Sequence, residues 1–76
     1  SRLAMKWQEA IEKSLKNGKT SGKIRKEVNV LQAAWFVMSG YSGVRNLGKI
    51  YGKDCYNVYL KELKHYLKGL EPAPVS

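Results

Sequence analysis

The sequence is poor in the residues that build reactive sites. A single cysteine, Cys55, excludes an intramolecular disulfide and any multi-cysteine zinc or iron–sulfur site. A single histidine, His65, excludes a site needing two His ligands and leaves little for His-based catalysis. No Ser/His/Asp set can be assembled around it. The stretch GKTSGK at 18–23 lacks the spacing of a phosphate-binding loop and has no strand pattern in front of it. Long apolar runs are also missing. The uncharged stretch from Val30 to Val44 is shorter than the ~20 residues of a membrane span, and Gln32, Ser39, Gly40, Ser42 and Gly43 interrupt it. The opening SRLAMKWQEA is no signal peptide, because Glu9 and Glu12 break any apolar run. These absences point to a cytoplasmic chain with no catalytic set, no metal site, no cofactor and no membrane partner.

Acidic groups are scarce as well. Six Asp and Glu face 14 Lys and Arg in 76 residues, for a net charge of +8. Residues 1–28 carry +5 of it, 29–48 only +1, and 49–76 the remaining +2. A DNA reader would place basic residues on one exposed helix with Arg, Asn or Gln able to reach base edges. Here the middle of the chain is the apolar part and the charge gathers around a Gly/Ser/Thr loop. That distribution favours a solvated surface over a nucleic-acid face.

What is present is helical periodicity, in three segments, and no strand pattern. From Arg2 to Asn17, Leu3, Trp7, Ala10, Ile11, Ser14 and Leu15 recur at spacings of three and four. Glu9–Lys13 and Glu12–Lys16 add favourable i,i+4 pairs. Asn17-Gly18 predicts the stop, followed by a basic connector over Lys19–Val28. Asn29 with Gln32 three residues on approximates a capping box and predicts a second helix from there to about Leu47. Asp54 is the expected cap of a third helix that ends near Gly69, before Pro72 and Pro74.

The second helix is apolar on nearly every side. Leu31, Ala34, Trp35, Met38 and Ser42 line one side, and Val30, Ala33, Val37, Gly40, Val44 and Leu47 another. Two short neighbours cannot cover such a helix, so further chain or a second copy must. Ser39 and Gly43 make a small-xxx-small pair, the expected place for a close helix approach. In the third helix Tyr56, Leu60, Leu63 and Leu67 follow the 4-3-4 spacing of a packing seam. The surface left for that neighbour, and the dimer contact if it is a second copy, is Leu31, Trp35, Met38, Ser42, Gly43, Tyr56, Leu60, Leu63 and Leu67. The aromatics fit core packing, with some able to line a ligand cavity, whose residues the sequence does not identify.

In order and spacing the chain resembles the C-terminal part of TetR-type, tetracycline repressor-like, transcriptional regulators. The segments that carry the resemblance are MKWQEAIEKSLKNGK, KIRKEVNV, AAWFVMSGYSGVRNLGK and DCYNVYLKELKHYLKGL, and the matching positions are Gly22, Ile24, Arg25, Asn29, Ala33, Ala34 and Gly43. The resemblance implies an all-α, three-helix fragment over residues 1–71 that dimerises through a four-helix bundle, with 72–76 as a tail. It implies a homodimer and, in the intact protein, a small apolar or aromatic effector bound among the helices. DNA would be read only by an N-terminal helix-turn-helix that this chain lacks. The alternative is a small basic helical module that binds nucleic acid or another protein.

Overall fold

A computed structural model describes residues 2–73; the expectations for residues 74–76 of the tail lie outside that range. The fold is all-helical: α1 spans Arg2–Thr20, α2 Val30–Tyr51 and α3 Lys53–Gly69.

The α1 stop lies four residues later than Asn17-Gly18 predicts. Gly22, at φ 80°, is the residue in left-handed conformation. Its N–H donates to the Lys19 carbonyl at 3.2 Å, and the Lys23 N–H donates to the Gly18 carbonyl at 2.9 Å. That bond pair is the Schellman closure, which satisfies the last carbonyls of the helix. Gly18 serves a different need. A Cβ built there would stand 2.6 Å from Cδ1 of Ile24, so the glycine lets the connector fold back onto α1. A sequence holding two candidate stops four residues apart does not say which one turns the chain.

The start of α2 follows the sequence. Asn29 is extended at φ −83°, ψ 108°, and its side chain accepts the Gln32 N–H at 3.0 Å. The helix runs past Leu47 and Gly48 to Tyr51, where Gly52 at φ 79° turns the chain. Gly52 alone separates α2 from α3. Asp54 therefore lies inside the first turn of α3 rather than at its cap, and no side chain caps that end. A carboxylate in the first turn still opposes the positive helix end.

The three helices run up, down and up. Trp7 meets Tyr41 while Leu15 packs in one cluster with Val30, so α1 and α2 are antiparallel. Cys55 meets the Val44 carbonyl, Tyr59 the Val37 carbonyl and Tyr66 the ring of Phe36, so α2 and α3 are antiparallel too. The α2 backbone lies close to α1 and to α3, whereas α1 and α3 make no close backbone approach to each other. The result is an open, flat arrangement of 44 × 32 × 14 Å with α2 in the middle.

The core sits at one end. Leu15, Val28, Val30, Ala33 and Leu70 form the buried cluster, with Ile11, Ile24 and Tyr66 packed against it. The connector is part of this core. Ile24 and Val28 are the only large apolar residues between Asn17 and Asn29, and both turn inward. The Arg25 N–H donates to the Leu70 carbonyl at 2.9 Å and the Lys19 ammonium to the Val28 carbonyl at 2.8 Å. These bonds tie the ends of α1 and α3 together at the foot of the molecule.

The surface left uncovered is large. The chain exposes 6303 Å², against about 4,700 Å² for a compact monomer of its mass. Its radius of gyration is 13.9 Å, where a compact domain of this length would have about 11 Å. The excess of about 1,600 Å² is what a domain with a missing second layer shows, since a helix layer buries its apolar stripe only against another element.

Candidate functional site

The middle of α2 joins its neighbours through tyrosine and glycine. Gly40 faces α3, and a Cβ built on it would come to 2.5 Å of Cε1 of Tyr59. The Tyr59 hydroxyl reaches past it and donates to the Val37 carbonyl at 2.6 Å. Burial pushes the Tyr59 phenol above its ordinary value of 10.0, and the nearby Tyr56 adds to the shift. The neutral form is thus the one the fold holds. Its contribution to stability is present below pH 10 and is lost as pH rises through the higher folded value. Tyr59→Phe is expected to lower stability by about 0.5–1.5 kcal/mol at neutral pH and to shrink the loss of stability above pH 10. Chemical denaturation of both proteins at neutral and alkaline pH checks it.

Aromatic rings link all three helices toward the other end. Trp7 lies 5.8 Å from Tyr41, Tyr41 lies 6.4 Å from Tyr56 edge-on, and Arg45 stands 5.9 Å over the Tyr41 ring. Such pairs add ~0.5–1.5 kcal/mol beyond their area. Apart from this ladder, the rings of Phe36 and Tyr66 meet at 4.5 Å, tilted by 38°. A groove of about 440 Å³ runs beside them, with Glu62 and His65 at its edge.

The expected dimer residues fall into two groups. In α2, Trp35, Met38 and Ser42 border a groove of about 460 Å³ shared with Ala4 and Met5 of α1. Leu31 and Trp35 are exposed, and Met38 is half-buried. Tyr56, Leu60 and Leu67 of α3 are exposed and Leu63 is half-buried. Tyr56 meets Tyr41 within the chain. Within the chain nothing lies within 4 Å of a Cβ built on Gly43, so a close approach there would have to come from a second copy. The crowded glycines are Gly18 and Gly40. The signal for Gly40 was its seven-residue spacing from Ala33 on the side facing α3, which the small-xxx-small pattern masked.

The outermost side of α2 runs through the Ser39 and Gly43 pair that the sequence singles out. Val30, Ala33, Ala34 and Val44 form its buried stripe, with Ala34 at 0% exposure. Gln32, Ser39, Gly43, Asn46 and Ile50 lie opposite, within about 60° of one another at 3.6 residues per turn, and all are exposed. Trp35 at 54% exposure, Phe36 at 56% and Leu47 at 47% flank them.

Five cations gather at the foot. Lys23 and Lys68 border one side of the segment 72–73, and Lys19, Arg25 and Lys26 the other, with Glu27 and Glu71 among them. Part of this charge answers the negative ends of α1 and α3, which both finish there. Cys55 is half-buried, its thiol directed at the Gly52 and Val44 carbonyls. Among the described residues no group of three or more His, Cys, Asp or Glu could hold a metal ion. Among the described residues no helix is long and apolar enough to cross a membrane.

Comparison of the chain with protein-family models, with curated proteins and with solved structures finds no match.

Proposed function

We propose that this chain is the C-terminal dimerisation and effector-binding portion of a TetR-like transcriptional regulator. The observation that carries the proposal is the position of α2. It stands between α1 and α3, buries only one stripe, and leaves Trp35, Phe36, Leu47 and Ile50 exposed. A helix with that surface needs a second layer, and a homodimer supplies one. In the intact regulator a small apolar or aromatic effector binds among the helices. Its binding shifts the subunits, changes the spacing of the DNA-reading heads, and lowers operator affinity. The protein works in the cytoplasm and is not an enzyme.

Light scattering on the purified chain tests the dimer. About twice the 8.6 kDa chain mass supports the reading, and a well-folded monomer refutes it.

The basic foot favours a second reading, a small helical module that binds nucleic acid. The two readings differ in their salt dependence. A regulator fragment without its reading head has only phosphate attraction to offer, and this fades as salt screens the +8 charge. We expect weak binding to any duplex at low salt, lost near physiological salt and indifferent to sequence. Fluorescence anisotropy over a salt series checks this. Tight, sequence-selective binding at physiological salt would replace the regulator reading with the module.

A further inference from the structure

We propose that the side of the helix layer carrying Trp7, Tyr41 and Tyr56 is a docking site for an acidic amphipathic helix of another protein. The inference stands apart from the regulator reading and goes beyond it.

The layer has two distinct sides. Because α1 and α3 flank α2 without a close backbone approach to each other, a shallow channel runs between them with α2 as its floor. The Trp7–Tyr41–Tyr56 ladder crosses this channel from α1 to α3. The groove bordered by Met5, Trp35 and Ser39 lies on the opposite side. Met5 points about 160° away from Trp7, and Ser39 about 160° away from Tyr41, at 3.6 residues per turn.

The channel is apolar along its walls. Leu3 lies about 40° from Trp7 on α1, and Leu60 and Leu67 within about 40° of Tyr56 on α3, and all five are exposed. From Tyr56 to Leu67 the α3 wall is about 17 Å long, three helical turns. A groove of this kind takes the apolar stripe of a helix.

Charge selects the occupant. On α3, Lys53 and Lys64 lie within about 60° of the line through Tyr56, Leu60 and Leu67, whereas Asp54 and Glu62 lie about 140° from it. On α1, Lys6 stands at the rim, about 80° from the line through Leu3 and Trp7, whereas Glu9 and Glu12 lie about 160–180° from it. The floor carries Arg45 over the Tyr41 ring, and α2 has no carboxylate. Every carboxylate of the three helices is thus turned away from an apolar channel that is edged by cations. Its complement is an apolar stripe flanked by Asp and Glu.

The same charges disfavour a second copy here. A twofold contact sets a face against itself, so Arg45, Lys53 and Lys64 would meet their own equivalents. The opposite side, where Trp35 and Gly43 lie and where Glu9, Glu12 and Glu62 offset the lysines, is left for a homodimer. Tyr56, Leu60 and Leu67 pass from the expected dimer contact to this one. A nucleic acid is also negative, but Leu3, Leu60 and Leu67 offer no ring on which a base could stack.

The test uses a designed peptide of about 14 residues, four turns, with one leucine stripe flanked by glutamates. Trp35→Phe leaves Trp7 as the single tryptophan, within the proposed contact. The peptide is expected to change Trp7 emission saturably at physiological salt, and its counterpart with lysines for glutamates to bind at least about tenfold more weakly. Lys53→Glu with Lys64→Glu is expected to reverse that preference. Lys16→Glu with Lys26→Glu makes the same change in net charge elsewhere and should leave binding within about twofold. Equal losses from the two pairs would show attraction to bulk charge and overturn the inference. So would the absence of saturable binding by the glutamate peptide, or tighter binding of an oligothymidylate at physiological salt. A shift of the monomer–dimer equilibrium by Lys53→Glu with Lys64→Glu would assign the channel to a second copy and overturn it too. Far-ultraviolet circular dichroism confirms that each variant remains helical, and the exchange of peptides on the Trp35→Phe chain needs no further variant.

Discussion

Leu15→Ala is expected to cost about 2–5 kcal/mol, the range for removing a buried leucine side chain and leaving its space unfilled. Leu15 is the only buried residue of α1. It joins that helix to Val28 of the connector, Val30 and Ala33 of α2, and Leu70 beyond α3. Little can take over, because the other end of the molecule is held by an aromatic ladder rather than by a second buried cluster. For a 76-residue chain the total stability is of the order of 4–11 kcal/mol, so this one change removes a large share of it. Urea denaturation should show a lower midpoint with little change in slope. The same substitution at Leu3, which is 59% exposed, should change stability by less than about 0.5 kcal/mol. Similar losses at both positions would mean that the buried cluster is not the core.

The second large effect separates two glycines three residues apart. Gly40→Ala places a methyl group 2.5 Å from Cε1 of Tyr59 and 3.1 Å from its Cζ and hydroxyl oxygen. The ring is held by its bond to the Val37 carbonyl, so it can yield only by breaking that bond. Overpacking of this kind costs about 1–3 kcal/mol, which outweighs the ~1 kcal/mol that alanine adds in helix propensity. Gly43→Ala meets no atom of its own chain, so a monomer carrying it should gain stability. In a dimer whose contact includes Gly43, the methyl group pushes the second helix away. Thermal melts over a range of protein concentrations distinguish these effects. Gly40→Ala should lower the melting point at every concentration. Gly43→Ala should reduce the dependence on concentration, and Gly43→Leu should abolish it. A gain in stability for Gly40→Ala would show that Tyr59 does not lie against it.

The sequence carries the three helices clearly, because each has strong apolar periodicity and Asn29 has a side chain able to cap. It carries their ends less well. Gly18 and Gly22 are both competent to stop α1, and only the contact of Gly18 with Ile24 decides between them. Asp54 had the right chemistry for a cap, but Gly52 turned the chain first. The connector hid its part in the core because two apolar residues among charged ones resemble a loop. Only the pairing of Arg25 with Leu70 brings Ile24 and Val28 inward. The candidate surface was legible as composition and not as direction. An all-round apolar α2 announces a missing neighbour, but which side is already covered depends on where α1 and α3 pack. That angle is a tertiary fact: it buries Val30, Ala33, Ala34 and Val44 and leaves both the Leu31–Trp35 flank and the line through Ser39 and Gly43 exposed.

The account depends most on the claim that a second copy covers α2. Sedimentation equilibrium of the unmodified chain, across concentrations from low to high micromolar and at physiological salt, tests it most directly. The account predicts a single reversible monomer–dimer equilibrium approaching twice the 8.6 kDa chain mass. A folded, cooperatively melting monomer across the whole range would contradict it.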